Sequence, residues 1–181
     1  MKKTLIGSVV GAIILFLWQF VSWTAAELHR PAQAYTPNQD TILQFLETQL
    51  PEEGSYFLPG FPDGTSMEEQ EKLTEAAVGK PWAQIAYHKS MDMNMGVNMG
   101  RGLAINIVIL LIVCWIFKQM GSPSFATILS ASLCIGLIGF FNISYTNHIW
   151  FQTRDLMANL IDAIVGWGLT GLWLGWWLRR N

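Results

Sequence analysis

His88, Met91, Met95 and Met99 recur at helical spacing in the stretch YHKSMDMNMGVNMGRG, with Met93 and Asn94 off that face. One imidazole and three thioethers on a shared face would suit Cu(I), and thioethers stay useful where thiols oxidise. Methionine at this spacing has a second use, because its flexible, polarisable side chain packs irregular apolar gaps. No second methionine or Cys–His cluster follows, and no methionine motif continues into the long apolar windows. The stretch therefore reads as a docking segment at the mouth of an apolar helix, with copper handling as the alternative.

Asp162 is the other residue whose type and place suggest chemistry. It lies inside LMANLIDAIVGWGLTGLWLGWWL, a window otherwise free of charge. A carboxylate within a membrane span is costly and is a candidate functional group by default. Asp155, Asn159, Ala163, Gly166 and Thr170 share its helix face. Asn106 and Asn142 fall at a similar depth in two other windows, and Gln19 and His148 could close the group from above. Asp162, Asn106, Asn142 and Asn159 thus form a candidate intramembrane polar cluster. Such a cluster could relay a proton or cation, as a small channel or proton-coupled carrier does. It could instead fix helix register through a hydrogen bond from Asp162 to Asn106 or Asn142. A relay needs several ionisable groups in series, and one lies deep here, so the register role is preferred.

Other catalytic patterns are missing. There is no nucleophile elbow, no His-x-x-x-His pair and no glycine-rich phosphate loop. His29, His88 and His148 are widely spaced. No catalytic, cofactor-binding or metal-ligating residue is assigned, and neither an enzyme nor a cofactor is expected. Cys114 and Cys134 both sit in apolar windows, where cysteine is a small filler.

The elements that must position these groups follow from composition. Of 181 residues, 51% are hydrophobic and 13% charged, about half the charged fraction of roughly a quarter found in soluble domains. A net charge of −2 with no basic patch argues against a nucleic-acid partner. A helix crosses a bilayer in about 20 apolar residues. Thr4 to Trp23 meets that length without a charge. It is longer than the core of a cleavable signal, so an uncleaved anchor is expected. Leu103 to Phe117 is a short second span unless it starts near Val97, and Gly96, Gly100 and Gly102 suggest a bend or a close backbone approach there. Phe125 to Tyr145 and Leu156 to Leu178 complete four spans.

Lys2, Lys3, Lys118, Arg179 and Arg180 fall on one side of these spans and define the cytoplasmic face. Both termini are then inside, and Trp18, Trp23 and Trp150 come near the outer interface. Between the first two spans, Ser66 and Glu69 make a capping box, and apolar spacing around Ile42 to Leu50 marks an earlier helix. SYFLP and WAQIAYH are strand candidates, giving α, β, α, β. At roughly 70 residues this cap is near the lower limit for a self-sufficient core. It should lean on the span ends or on another protein.

The expected fold is an α-helical integral membrane protein with four transmembrane helices and a small α+β extracytoplasmic cap between helices 1 and 2. Residues 1–25 are the first helix, 26–96 the cap and 97–181 the remaining helices. Gly7 with Gly11 and Gly171 with Gly175 are small-residue pairs that permit close helix contact. Expected partners are the lipid bilayer and other membrane-protein subunits, or a second copy through those small faces. The expected role is that of an accessory or scaffold subunit in the bacterial inner membrane.

Overall fold

The computed structural model describes residues 2–180. It is mostly helical, with four helices long and apolar enough to cross a membrane and one two-stranded sheet. The chain divides into a helical unit, Met1–Ala34 with Met93–Asn181, and a smaller unit, Tyr35–Asp92. Residues 26–34, expected in the cap, belong to the helical unit.

Four long stretches build the helical unit. Helix α1 spans Lys2–Phe20 and runs on through a π turn at Val21–Ala25. Helix α4 spans Met95–Gln119. Helix α5 spans Phe125–Gly139, passes through a π stretch at Phe140–Tyr145 and continues as α6, Thr146–Phe151. Helix α7 spans Leu156–Trp177.

α4 runs uninterrupted through Gly96, Gly100 and Gly102, and a methyl group on Gly102 would lie 3.5 Å from the Phe16 ring. One expectation about these stretches changes. The expected outer loop TNHIWFQTRD is helical over its first half and shrinks to four residues, 152–155.

α1 packs on both α4 and α7, and α7 packs on α5. Ala12, Leu110, Cys114, Phe117, Ile128 and Leu174 form the buried apolar centre, each 2% exposed or less. The close approach needs glycine. A methyl group on Gly7 would lie 2.9 Å from the Trp177 ring, and one on Gly171 would lie 2.8 Å from Ser132. Both small-residue pairs are therefore filled from within the chain, by neighbours on α4, α5 and α7.

Tryptophans also tie the helices together. The indole of Trp173 donates to the Gly7 carbonyl (3.0 Å), and that of Trp177 donates to the Lys3 carbonyl (2.8 Å). Ser8 adds a buried hydroxyl bond to the Leu110 carbonyl at 3.1 Å. Trp173 and Trp177 thus hold α7 against the start of α1.

In the smaller unit the order is α2 (Gln39–Gln49), β1 (Gly54–Leu58), α3 (Met67–Ala77) and β2 (Ala83–Tyr87). This is the expected α, β, α, β order. The strands pair antiparallel with Tyr56 opposite Ile85. Ser66 caps α3 as its spacing predicts, its hydroxyl accepting from the Glu69 amide at 3.3 Å. The unit has almost no interior. Tyr87, at 7% exposed, is its one buried residue. Ile42, Leu43 and Phe45 of α2 are 46%, 58% and 62% exposed.

Candidate functional site

The sharpest site is built around His29. Its position comes from three local features in sequence. The π turn at Val21–Ala25 ends α1 and places Trp23 on its last turn. Glu27 then takes a left-handed backbone, φ 48°, which a branched or bulky residue rarely adopts. The Leu28 amide bonds back to the Ser22 carbonyl at 2.9 Å, and a 3-10 turn at Arg30–Ala32 follows. The chain thereby folds back on its own helix end. Arg30 clasps Glu27 at 2.7 Å across the turn. His29 is driven inward to 2% exposure.

Two carboxylates of α7 receive it. The His29 Nε2 lies 2.9 Å from Asp162 Oδ2, a hydrogen bond, and its Nδ1 lies 3.6 Å from Asp155 Oδ2. Asp155 and Asp162 are seven residues apart, two turns of helix, so they stand on one face. Asp155 occupies the N-cap position of α7, yet its side chain makes no cap bond. Above the imidazole, the Trp23 ring stacks at 4.1 Å between centroids and 4° between planes. The second Asp162 oxygen accepts from the Trp18 indole at 3.0 Å. Asp162 is thereby held from both sides by residues of the first helix and the turn after it.

The partners expected for Asp162 are corrected here. Asn106 is buried but bonds to Gln19 at 2.9 Å, tying α4 to α1. Asn142 is exposed and joins nothing in the cluster. It falls in the π stretch Phe140–Tyr145, whose extra residue per turn rotates the face by about 100° relative to a regular helix. His148 turns away and bonds the Thr153 carbonyl at 3.0 Å. Asn159, Asn106, Gln19, His29 and Asp162 do line one cleft of about 450 Å³, with Trp167 in its wall.

The sequence carries one signal for His29. Two carboxylates on one helix face call for a cation or hydrogen-bond donor at the same depth. His29 is six residues beyond Trp23, at the end of the adjoining helix.

Chemically, a buried imidazole with a carboxylate beside each ring nitrogen can hold a proton between them. No group of three or more His, Cys, Asp or Glu side chains among the described residues could hold a metal ion. His29, Asp155 and Asp162 do not converge on one point, because the ring stands between the two acids. Leu15 and Ile109, which pack in the apolar centre, line the cleft on its inner side.

The methionine stretch does not form the face that Cu(I) would need. α4 starts only at Met95, where Asn94 caps it by accepting from the Val97 amide at 3.1 Å. His88, Met91 and Met93 precede the helix, and only Met95 and Met99 share a turn. Met91 is 85% exposed. The chain matches no family model, no curated protein and no solved structure.

Proposed function

We propose that this chain is a non-enzymatic, multi-pass accessory or scaffold subunit of a larger assembly in the bacterial inner membrane. The observation that carries the reading is the coreless smaller unit. Ile42, Leu43 and Phe45 are exposed on α2, and large exposed apolar patches mark interaction surfaces. The four long helices support the membrane part. Less than a third of each apolar window is buried, so most of that surface needs an apolar surrounding.

The interior polar groups support a structural use as well. Asp162 and Asn106 have internal partners, and each of those bonds joins α1 or the turn after it to another helix.

A photo-activatable amino acid at Phe45, in the full chain and in its own membranes, tests the partner. The expected result is one discrete adduct containing a second membrane protein. An adduct with a second copy would assign the partner as the chain itself. Cross-links confined to the same chain, with no added mass, would remove the accessory reading.

Orientation is tested separately. Lys3, Lys118, Arg179 and Arg180 line one end of the helical unit, which the positive-inside rule places in the cytoplasm. A cysteine in place of Gln70 should react with an impermeant thiol reagent from the extracytoplasmic side. Reaction only after the inner membrane is opened would reverse the topology.

A second reading has one specific observation behind it. The His29 Nδ1 has no hydrogen-bond partner and faces Asp155 at 3.6 Å. A shift of less than 1 Å would complete a carboxylate–imidazole–carboxylate chain at hydrogen-bond distance. That would suit uptake of a proton or small cation at the outer face. The buried apolar residues of the centre, Leu110, Phe117, Ile128 and Leu174 among them, weigh against passage across the membrane.

A further inference from the structure

We propose that the cleft at the Lys/Arg end of the helical unit binds a phosphate-bearing anion, presented by an anionic phospholipid headgroup or by free phosphate. The lipid source rests on the reading above that this end lies at a membrane surface.

The cleft measures about 650 Å³ and is formed by the start of α1, the end of α4, the turn before α5 and the residues after α7. Lys3, Lys118, Arg179 and Arg180 all line it. The acidic residues of the helical unit are Glu27, Asp155 and Asp162, and all belong to the opposite end. None of the four cations forms an ion pair among the described residues. Cations of one sign lining one cleft focus a positive potential into the space between them.

Helix termini explain part of this charge. The Lys3 Nζ donates to the Arg180 carbonyl, and Lys118 sits in the last turn of α4, where a cation offsets the helix dipole. Arg179 and the Arg180 guanidinium are left over. The Arg180 guanidinium lies 4.2 Å over the Trp176 ring, so its donor fork is held in place before any ligand arrives. Thr4, Ser122 and Ser124 line the cleft beside the cations, with Leu178 as an apolar wall. Cations and hydroxyls around one opening match the oxygens of a phosphate group. Basic pockets between membrane helices on the cytoplasmic side are used for such headgroups.

The test uses the full chain in nanodiscs of phosphatidylcholine, with or without phosphatidylglycerol, and native mass spectrometry to count retained lipid. Wild type is expected to retain phosphatidylglycerol in preference to phosphatidylcholine. K118Q/R179Q should lower that retention roughly tenfold, since each cation near a headgroup contributes about a fivefold effect at most. R101Q/R154Q, which removes two cations near the other end, should leave it unchanged. Inorganic phosphate is added separately to the phosphatidylcholine discs. A thermal shift that K118Q/R179Q abolishes, without lipid preference, would assign the source as soluble phosphate. Equal retention in all three proteins, with no phosphate shift, would overturn the proposal and leave the four cations as topology signals alone. If alkaline carbonate strips the chain from its membranes, the membrane reading fails instead, while the phosphate arm still judges the cleft.

Discussion

Asp162→Leu is expected to destabilise the helical unit by roughly 2 kcal/mol, because two donors lose their acceptor together. The Trp18 indole and the His29 ring both bond to this carboxylate, and a leucine offers neither an oxygen. Asp162→Asn keeps the volume and one acceptor and adds an amide donor. With His29 neutral and its proton on Nδ1, that amide can donate to Nε2. The loss should then be near 0.6 kcal/mol, the average for a polar contact between membrane helices. Reversible unfolding in mixed micelles measures both. Proton flux into liposomes containing each variant separates the two functional readings. Under the structural reading no flux above empty liposomes is seen in any of them. Wild-type flux that vanishes equally in Asp162→Asn and Asp162→Leu, with the Asn protein still folded, would discard that reading in favour of proton uptake.

Gly136→Ala should be at least as damaging, although it adds one methyl group. That methyl would sit 2.5 Å from the Trp167 ring and 2.6 Å from the Ala163 carbonyl oxygen. The ring could rotate, but the carbonyl is helix backbone, so α5 and α7 must separate. Overpacking of this kind costs about 1–3 kcal/mol, and backbone contact puts it at the upper end. Gly139→Ala, one turn along the same helix, meets nothing within 4 Å. It should stay within about 0.5 kcal/mol of wild type. Equal stability of the two variants would mean that α5 and α7 are not packed as described.

The long helices were legible because an apolar window without charge has few alternatives at that length. The small unit was legible through local chemistry, above all Ser66 three residues before Glu69 and the alternation in AQIAY. Elsewhere the local signal was overruled. Asn94 is a better helix cap than anything at Met91, and its place ended the idea of a methionine face. Asn142 lies in a π stretch that nothing in FFNISY announces, and it is exposed there. His29 was hidden by a left-handed Glu27, a conformation that glutamate's own preferences do not announce. The carboxylate pair on α7 was visible, and its partner was not, because the partner depends on how the chain reverses after α1.

The order in which the helices meet differs from the order in which a ribosome makes them. α7 lies against both α1 and α5, yet it follows them in the chain. At ordinary elongation rates α1 emerges roughly 8–30 s before α7 is finished. Through that interval the glycines of α1 at Gly7 and of α5 at Gly136 have no tryptophan to cover them, and no α7 carboxylate has reached His29. The contacts available before α7 is made are those of α1 with α4, and the surfaces of α1 and α5 that α7 covers are completed last.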